Sequence, residues 1–171
     1  MTKAQRTRSA RLTYRRATID DALRLVQEPV SIDGLRAGGY PDEGTRFFAL
    51  RLLERGTDDT DIFGMYHVID AATGALVGHV GFHGRPDDDH AVRIGYAIAR
   101  DVRGQGHAQE AVSWIIDLAL TQPVVELVRA DTTQCNLRSQ HVLERTGFAL
   151  VRSEAGIRFY QYIPPRQAAA G

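Results

Sequence analysis

The spacing of apolar and polar positions divides the chain into short strand-like runs and four helix-like runs. Apolar residues recur at helical spacing from Ala108 to Ala119, and shorter amphipathic runs cover residues 20–27, 45–56 and 136–147. The strand-like runs are residues 11–18, 62–70, 75–84, 91–99, 124–132, 148–154 and 157–163. This order predicts an α+β domain with a mixed central β-sheet of about seven strands, flanked by about four helices.

Turn-forming residues predict where these elements begin and end. Thr18 or Asp20 can cap the first helix and Pro29 stops it, while Gly147 occupies the position that follows the last helix. No internal repeat or linker interrupts the chain. We therefore expect a single domain over residues 11–163, with a flexible tail at residues 1–10 and a second tail at residues 164–171.

Composition narrows the classes of protein that the chain can represent. Its 171 residues include 21 basic and 21 acidic side chains, so the formal net charge is zero, which disfavours a nucleic-acid partner. Cys135 is the single cysteine, and the six histidines show no metal-ligand spacing, so we predict neither a disulfide within the chain nor a metal site. No apolar run approaches 18 residues and the N-terminus lacks a secretory signal, so we predict a cytoplasmic protein with no membrane partner.

The segment "RGQGHA", residues 103–108, carries the first chemical signal. It lies between a predicted strand and a predicted helix, where unpaired backbone N–H groups and the helix dipole attract anions. Gly104 and Gly106 let the backbone approach a phosphate closely, and Arg103 adds a positive charge. A plain Gly-containing turn is the competing interpretation. The spacing matches neither a dinucleotide-fold motif nor a P-loop.

Two motifs together resemble those of the GNAT superfamily of acyl-CoA-dependent N-acyltransferases. "RGQGHA" matches the pyrophosphate loop (Q/R)-x-x-G-x-(G/A) of that family, and residues 136–148 match the pattern N-x-x-S-x-x-V-L-E-x-x-G-F. The segments "FGMYHVID", "GFHG" and "IGY" are similar to the branch that contains ribosomal-protein N-terminal acetyltransferases. The resemblance covers about residues 11–163.

This resemblance implies a GNAT fold, acetyl-CoA as the acyl donor and direct transfer to an amine. It implies that the pyrophosphate contacts the loop from Arg103 to Ala108, which includes Gly104, Gln105, Gly106 and His107. The strand at Tyr96, Ala97 and Ile98 would pair with the pantetheine arm, and Asn136 would contact the cofactor. Ser139 matches a family serine near the thioester sulfur, where it can protonate the leaving thiolate. The tyrosine acid of many relatives is replaced here by Leu143.

The sequence identifies the general base less clearly than it identifies the cofactor-binding loop. Relatives tend to carry glutamate where this chain has Arg93, and an arginine cannot take a proton from an amine. We expect His83 to replace the glutamate, because its ordinary pKa suits proton transfer at neutral pH, with Asp131 as a weaker candidate. Arg93 can instead bind an acceptor carboxylate or a dicarboxylic acyl donor such as succinyl-CoA. The early loop containing Tyr40 is expected to line the acceptor site.

Three functions remain open at this point. The first is N-acylation of a primary amine, either a protein N-terminus or a small molecule, by an enzyme for which both a monomer and a homodimer remain open. The second is a CoA-binding sensor or interaction module with little activity, which Arg93 would favour. The third is an unrelated nucleotide-binding domain, which preferential binding of coenzyme A over ATP or NAD would exclude.

Overall fold

A twisted mixed sheet forms the centre of the molecule. The computed structural model describes residues 7–27, 41, 43–56 and 62–164. In these residues the sheet order is β1-β2-β3-β4-β5-β6-β8-β7, and β5–β6 is the parallel pair. The strands are β1 (Thr7–Arg8), β2 (Leu12–Arg16), β3 (Met65–Asp70), β4 (Leu76–Phe82), β5 (Ala91–Ile98), β6 (Leu127–Thr133), β7 (Ala149–Glu154) and β8 (Ile157–Tyr162). The predicted α+β architecture is confirmed, with seven main strands and the two-residue β1 at one edge.

In the part of the chain that the structure describes, four α-helices cover the two faces of this sheet. They are α1 (Ile19–Gln27), α2 (Glu43–Arg55), α3 (His107–Leu120) and α4 (Leu137–Arg145). Phe48 and Leu52 of α2 pack with α1 over Met65 and Leu76, whereas α3 buries its apolar face in a larger cluster on β2 to β6. The helical periodicity seen in the sequence therefore predicts the packed faces as well as the helices.

The start of α1 is held by a buried carboxylate. The Thr18 hydroxyl accepts a hydrogen bond from the Asp21 amide at 3.1 Å, and Asp21 accepts one from the Thr18 amide at 2.9 Å, which is a reciprocal cap. Arg15 Nη1 donates to Asp21 Oδ2 at 2.9 Å, and His67 Nε2 lies 3.4 Å from the same oxygen. Burial alone would raise the Asp21 pKa, but hydrogen bonds from His67, Arg15 and Thr18 outweigh it and hold the pKa well below its ordinary value.

Two element boundaries differ from the sequence prediction. The predicted tail through residue 10 is too long, because Thr7–Arg8 pairs with β2 and Ser9 donates to Glu110 at 2.6 Å. The strand predicted from Val124 begins only at Leu127, since residues 121–124 form a turn that leaves Val124 exposed. The apolar residues from Val124 do not mark the start of the strand, because β6 first pairs with β5 at Leu127, opposite Ala91. Pro29 and residues 165–171 lie outside the described residues.

The end of α4 follows the prediction closely. Gly147 has φ 92°, and the amide of Phe148 donates to the Leu143 carbonyl at 3.0 Å while the Gly147 amide donates to Glu144 at 3.2 Å. This pair of bonds is the Schellman arrangement, which needs a left-handed residue after the helix. Phe148 is buried and anchors the chain as it enters β7.

Candidate active site

A fork between two neighbouring strands is the main irregularity of the sheet. Strands β5 and β6 pair only from Ala91–Leu127 to Arg93–Arg129, and beyond this point β5 stays with β4 while β6 stays with β8. The second half of β5 therefore has an unpaired side. The C-terminal half of β5 is thus separated from β6.

The hydrogen-bond register shows which backbone groups face the fork. The His83 amide donates to the Arg93 carbonyl at 2.8 Å and the Ala99 amide donates to Val77 at 2.8 Å. Because antiparallel ladder bonds recur at every second residue, Ala97 also turns its polar groups toward β4, and Tyr96 and Ile98 turn theirs toward the fork. Tyr96 and Ile98 thus have the orientation expected for pairing with an extended ligand, whereas the backbone of Ala97 does not.

The loop before α3 has the backbone geometry of an anion site. Gly104 has φ 80° and Gly106 has φ 84°, values that L side chains rarely adopt. A Cβ at Gly104 would meet no atom within 4 Å, so the surface there is open. Gly106 is the N-cap of α3 and no side chain caps the helix, which leaves the first-turn amides available to an anion.

Hydrogen bonds of Arg11 to the loop and to Glu110, called here the Arg11 brace, hold this loop in place. The sequence did not predict them. Arg11 Nη1 donates to the Gln105 carbonyl at 2.7 Å, and Arg11 Nε donates to Glu110 Oε2 at 2.9 Å. Glu110 Oε1 also accepts from the Arg11 amide at 2.7 Å and from Ser9. Binding of the loop carbonyl by Arg11 leaves the amide side of the loop turned outward. No local pattern could reveal contacts between residues almost 100 positions apart.

Two side chains of the loop differ from the roles that the sequence suggests. Arg103 Nε donates to the Ile98 carbonyl at 2.9 Å, so part of this guanidinium is committed to the end of β5. His107 is buried, with Nε2 3.9 Å from Asp70 Oδ2, and only its backbone can meet a ligand at the helix start. The side chain of His107 is therefore a packing group rather than a cofactor contact.

Two hydroxyl groups, one from β5 and one from α4, form a hydrogen-bonded pair beside the fork. The Asn136 side chain accepts a hydrogen bond from the Ser139 amide at 3.2 Å, so Asn136 is the N-cap of α4. Ser139 Oγ lies 2.9 Å from the Tyr96 hydroxyl, which links β5 to α4. Burial raises the Tyr96 pKa to about 12, although the Ser139 hydrogen bond opposes the shift. Tyr96 thus remains a proton donor, a side-chain role that the sequence analysis did not assign.

The imidazole of His83, the residue that follows β4, lies on the opposite face of β5 from the Tyr96 side chain. Strand residues alternate between faces, so Gly95 and Tyr96 point to opposite sides of β5. The imidazole lies against Gly95, where a Cβ would stand 2.7 Å from His83 Nε2, and its ring centroid is 4.7 Å from that of Phe48 on α2. His83 and the pair formed by Ser139 and Tyr96 therefore approach the fork from the two faces of the sheet.

The surroundings of His83 favour its neutral form. Burial lowers its pKa below the ordinary value for histidine, and the positive charges of Arg93, Arg55 and Arg51 lower it further. Asp131 acts in the opposite direction, and Arg93 Nε lies 3.6 Å from Asp131 Oδ1. A neutral imidazole can accept a proton at pH 7.

A cavity of about 810 Å³ adjoins His83 on the α2 side. It extends to Arg93 and Asp131, at the point where β5 leaves β6, and His83 forms part of its wall. His79, four residues before His83, is instead buried and hydrogen-bonded to Thr45 at 3.1 Å. The cavity thus gives His83 access to a molecule that enters from the α2 side.

The remaining predicted groups contribute less. Cys135 is exposed, with Sγ 3.3 Å from the Thr133 hydroxyl. Tyr40 lies outside the described residues. No group of three or more potential metal ligands occurs in the part of the chain that the structure describes. In that same part, no helix has both the length and the apolar character needed to cross a membrane.

Comparison with solved structures supports the fold. A putative ribosomal-protein-serine acetyltransferase from Vibrio cholerae is similar over 96% of this chain and 100% of its own, with a TM-score of 0.66 and 20% identity. The ribosomal L7/L12 alpha-N-protein acetyltransferase RimL, solved with coenzyme A, is similar over 91% and 95% of the two chains, with a TM-score of 0.62 and 19% identity. Identities at this level show a shared fold.

Sequence comparison shows the family. An N-acetyltransferase of Bacillus subtilis (strain 168), YjdG, described as uncharacterized, is 34% identical over 88 residues, and the chain spans about half (52%) of the length of this curated relative. Residues 11–149 match the family model described as "Acetyltransferase (GNAT) domain". The chain therefore belongs to the GNAT family of acetyltransferases.

Proposed function

We propose that the protein transfers an acetyl group from acetyl-CoA to a primary amine by direct attack of the amine. The single observation that carries the proposal is the fork, where unpaired backbone groups of β5 lie between His83 on one face and Ser139 with Tyr96 on the other. Acetyl-CoA would supply an activated acyl group with a thiolate as its leaving group. Family membership supports acyl transfer from acyl-CoA, and the chemical roles of individual residues are our proposal.

The backbone and the loop would hold the donor. Gly104 leaves open space at the start of α3, where a pyrophosphate would lie, and the amides of the first helical turn would donate to it. Tyr96 and the Ile98 amide would pair with the pantetheine arm, whereas the Ile98 carbonyl already accepts a hydrogen bond from Arg103. The Arg11 brace keeps the loop in this conformation before the donor arrives.

Proton transfer would run across the sheet. His83, neutral because of burial and the neighbouring arginines, would take a proton from the ammonium form of the acceptor, and the neutral amine would then attack the thioester carbonyl. Ser139 would donate a proton to the departing thiolate, and Tyr96, hydrogen-bonded to Ser139, would position it and can replace the proton. The base, His83, and the acid, Ser139, lie on opposite faces of the sheet. The amine would therefore enter from one face, and the thiolate would leave toward the other.

A second candidate is a CoA-binding module with little activity. The observation that favours it is Arg93, which stands where relatives tend to carry a glutamate base and pairs here with Asp131. A covalent route through Cys135 has less support, because neither a histidine nor a carboxylate hydrogen-bonds its thiol among the described residues.

The test is a screen of amines and peptides with acetyl-CoA and, separately, succinyl-CoA. Coenzyme A release is followed with a thiol reagent and the acylated product is identified by mass spectrometry. We expect product with acetyl-CoA and loss of most of the rate in His83→Ala. Tight binding of coenzyme A without turnover for any amine would instead support the CoA-binding module.

A further inference from the structure

The cavity beside His83 has an unusual concentration of arginine. Its described wall contains five arginines, contributed by β2, α2, β5 and the loop after β4, against two aspartates. They are Arg16, Arg51, Arg55, Arg85 and Arg93. The whole chain has no net charge, so this concentration is local and does not follow from composition.

The two aspartates of the wall are fewer than its arginines, although Glu54 on α2, outside the wall, lies 3.2 Å from Arg51. Asp87 is held at 2.7 Å by Arg129, a residue outside the wall, and Asp131 lies 3.6 Å from Arg93. Arg55 makes no ion pair with the residues that the structure describes. Like charges confined to a concave wall repel one another, and the same field draws an anion inward.

Local packing directs one of these guanidinium groups. A Cβ at Gly84 would stand only 2.5 Å from Arg55 Nη1, so the absence of a side chain there lets Arg55 reach the loop beside His83. Leu52, Phe47 and Phe63 complete the wall with apolar surface. Arg55 is exposed, so an anion can reach its guanidinium group, whose planar shape matches carboxylate or phosphate oxygens.

We infer that the acceptor is an anionic amine, a primary amine that carries a carboxylate or phosphate group within reach of this arginine-lined cavity. The inference rests on the proposed function, since it assigns the cavity to the acceptor. The amine would face His83 and the fork, while the anionic group would contact Arg55 and its neighbours. Polyamines, which are cationic throughout, would be repelled.

A bound anion would also change the pKa of His83, the proposed base. Arg93, Arg55 and Arg51 hold the His83 pKa down beyond the effect of burial, and Asp131 alone opposes them. An acceptor anion that offsets these positive charges would raise the His83 pKa in the complex. Substrate binding would thus make the imidazole a stronger base at the moment it is needed.

The test compares acceptors that differ only in charge. The probes are the peptide amides Ser-Glu-Glu and Ser-Gln-Gln, O-phosphoethanolamine and ethanolamine, and spermidine. We expect kcat/KM to be at least tenfold higher for the anionic member of one matched pair, and this ratio to fall several-fold in Arg55→Gln and as salt increases. The peptide pair and the phosphate pair show which anion is preferred. Arg145→Gln, which changes an exposed arginine on α4 outside the cavity wall, is the matched control and should keep the ratio.

Calorimetry with the same probes separates this inference from the proposed function. Binding of an anionic probe to the CoA-saturated protein, weakened by Arg55→Gln and not by Arg145→Gln, would support the inference even if no acceptor is acylated. Equal or better turnover of neutral or cationic probes would overturn it while leaving the proposed function intact. Absence of both turnover and binding for every anionic probe would also overturn it.

Discussion

Gly95→Ala is the sharpest perturbation that the structure offers, because it acts on His83 without removing it. A Cβ at residue 95 would lie 2.7 Å from His83 Nε2 and 2.9 Å from Phe48 Cε2. Optimal contacts need about 3.5 Å, so the ring must move by roughly 0.8 Å. Overpacking of this kind costs about 1–3 kcal/mol of stability, and a misplacement of about 1 Å at a reacting group can cost about 10²-fold in rate. We expect kcat/KM to fall about 10- to 100-fold in a folded protein.

A double-mutant cycle decides whether this loss passes through His83. Steady-state acyl transfer is measured for Gly95→Ala, His83→Ala and the double variant, with thermal unfolding of each as a check on folding. In the His83→Ala background the clash with the ring is gone, and Gly95→Ala should change the rate less than about threefold. Gly81→Ala, which crowds Phe48 and the Gly64 carbonyl without touching His83, controls for crowding alone. Equal losses from Gly95→Ala in both backgrounds would refute the assignment of His83 as the base.

Four further predictions test other parts of the site and fold. Gly106→Val should weaken acetyl-CoA binding at least tenfold in calorimetry, since φ 84° strains a β-branched residue; unchanged affinity would remove the loop from the site. Ser139→Ala should lower kcat about 10- to 100-fold while acetyl-CoA still binds, and an unaffected kcat would make Ser139 a structural residue. The rate should rise with pH through an apparent pKa below the ordinary histidine value, and this inflection should disappear in His83→Ala. Asp21→Asn should destabilise the fold by about 2–4 kcal/mol at pH 7 in denaturant titrations. Because the folded-state pKa of Asp21 is depressed, its contribution is present above the unfolded pKa of about 4 and is lost as pH falls below it, so the variant should lose less stability in acid than the parent.

The elements of the fold could be predicted because their signals are local. Helical spacing located α3 and α4, and Gly147 marked the end of α4 through the left-handed conformation that it adopts. The N-terminal edge could not be predicted in the same way. Residues 7–9 look like a polar tail in sequence, and they are ordered only because Tyr14 and Glu110 offer partners from β2 and α3.

The motifs predicted the backbone conformation of the loop better than the directions of its side chains. The positive φ values of Gly104 and Gly106 agree with the expectation that the loop leaves its backbone open. Arg103, predicted as a phosphate ligand, donates through Nε to the Ile98 carbonyl, and its role toward phosphate stays a prediction. His107 lies within the same motif and is buried beside Asp70. A motif constrains the backbone path, whereas the direction of each side chain depends on elements that are distant in sequence.

The consequence of having Arg93 where relatives tend to carry glutamate depends on its neighbours in the folded structure. On its own, Arg93 suggests a lost base. In the structure it is one of several cations around a cavity that contains His83, and an arginine there both keeps the imidazole neutral and attracts an anion. A glutamate in the same place would repel a carboxylate or phosphate on the acceptor and would raise the pKa of the neighbouring histidine. Under the proposed function, the exchange of glutamate for arginine and the use of histidine as base would be coupled: an acceptor site built for anions would be incompatible with a carboxylate base at its centre, and a neutral imidazole would serve where the carboxylate cannot.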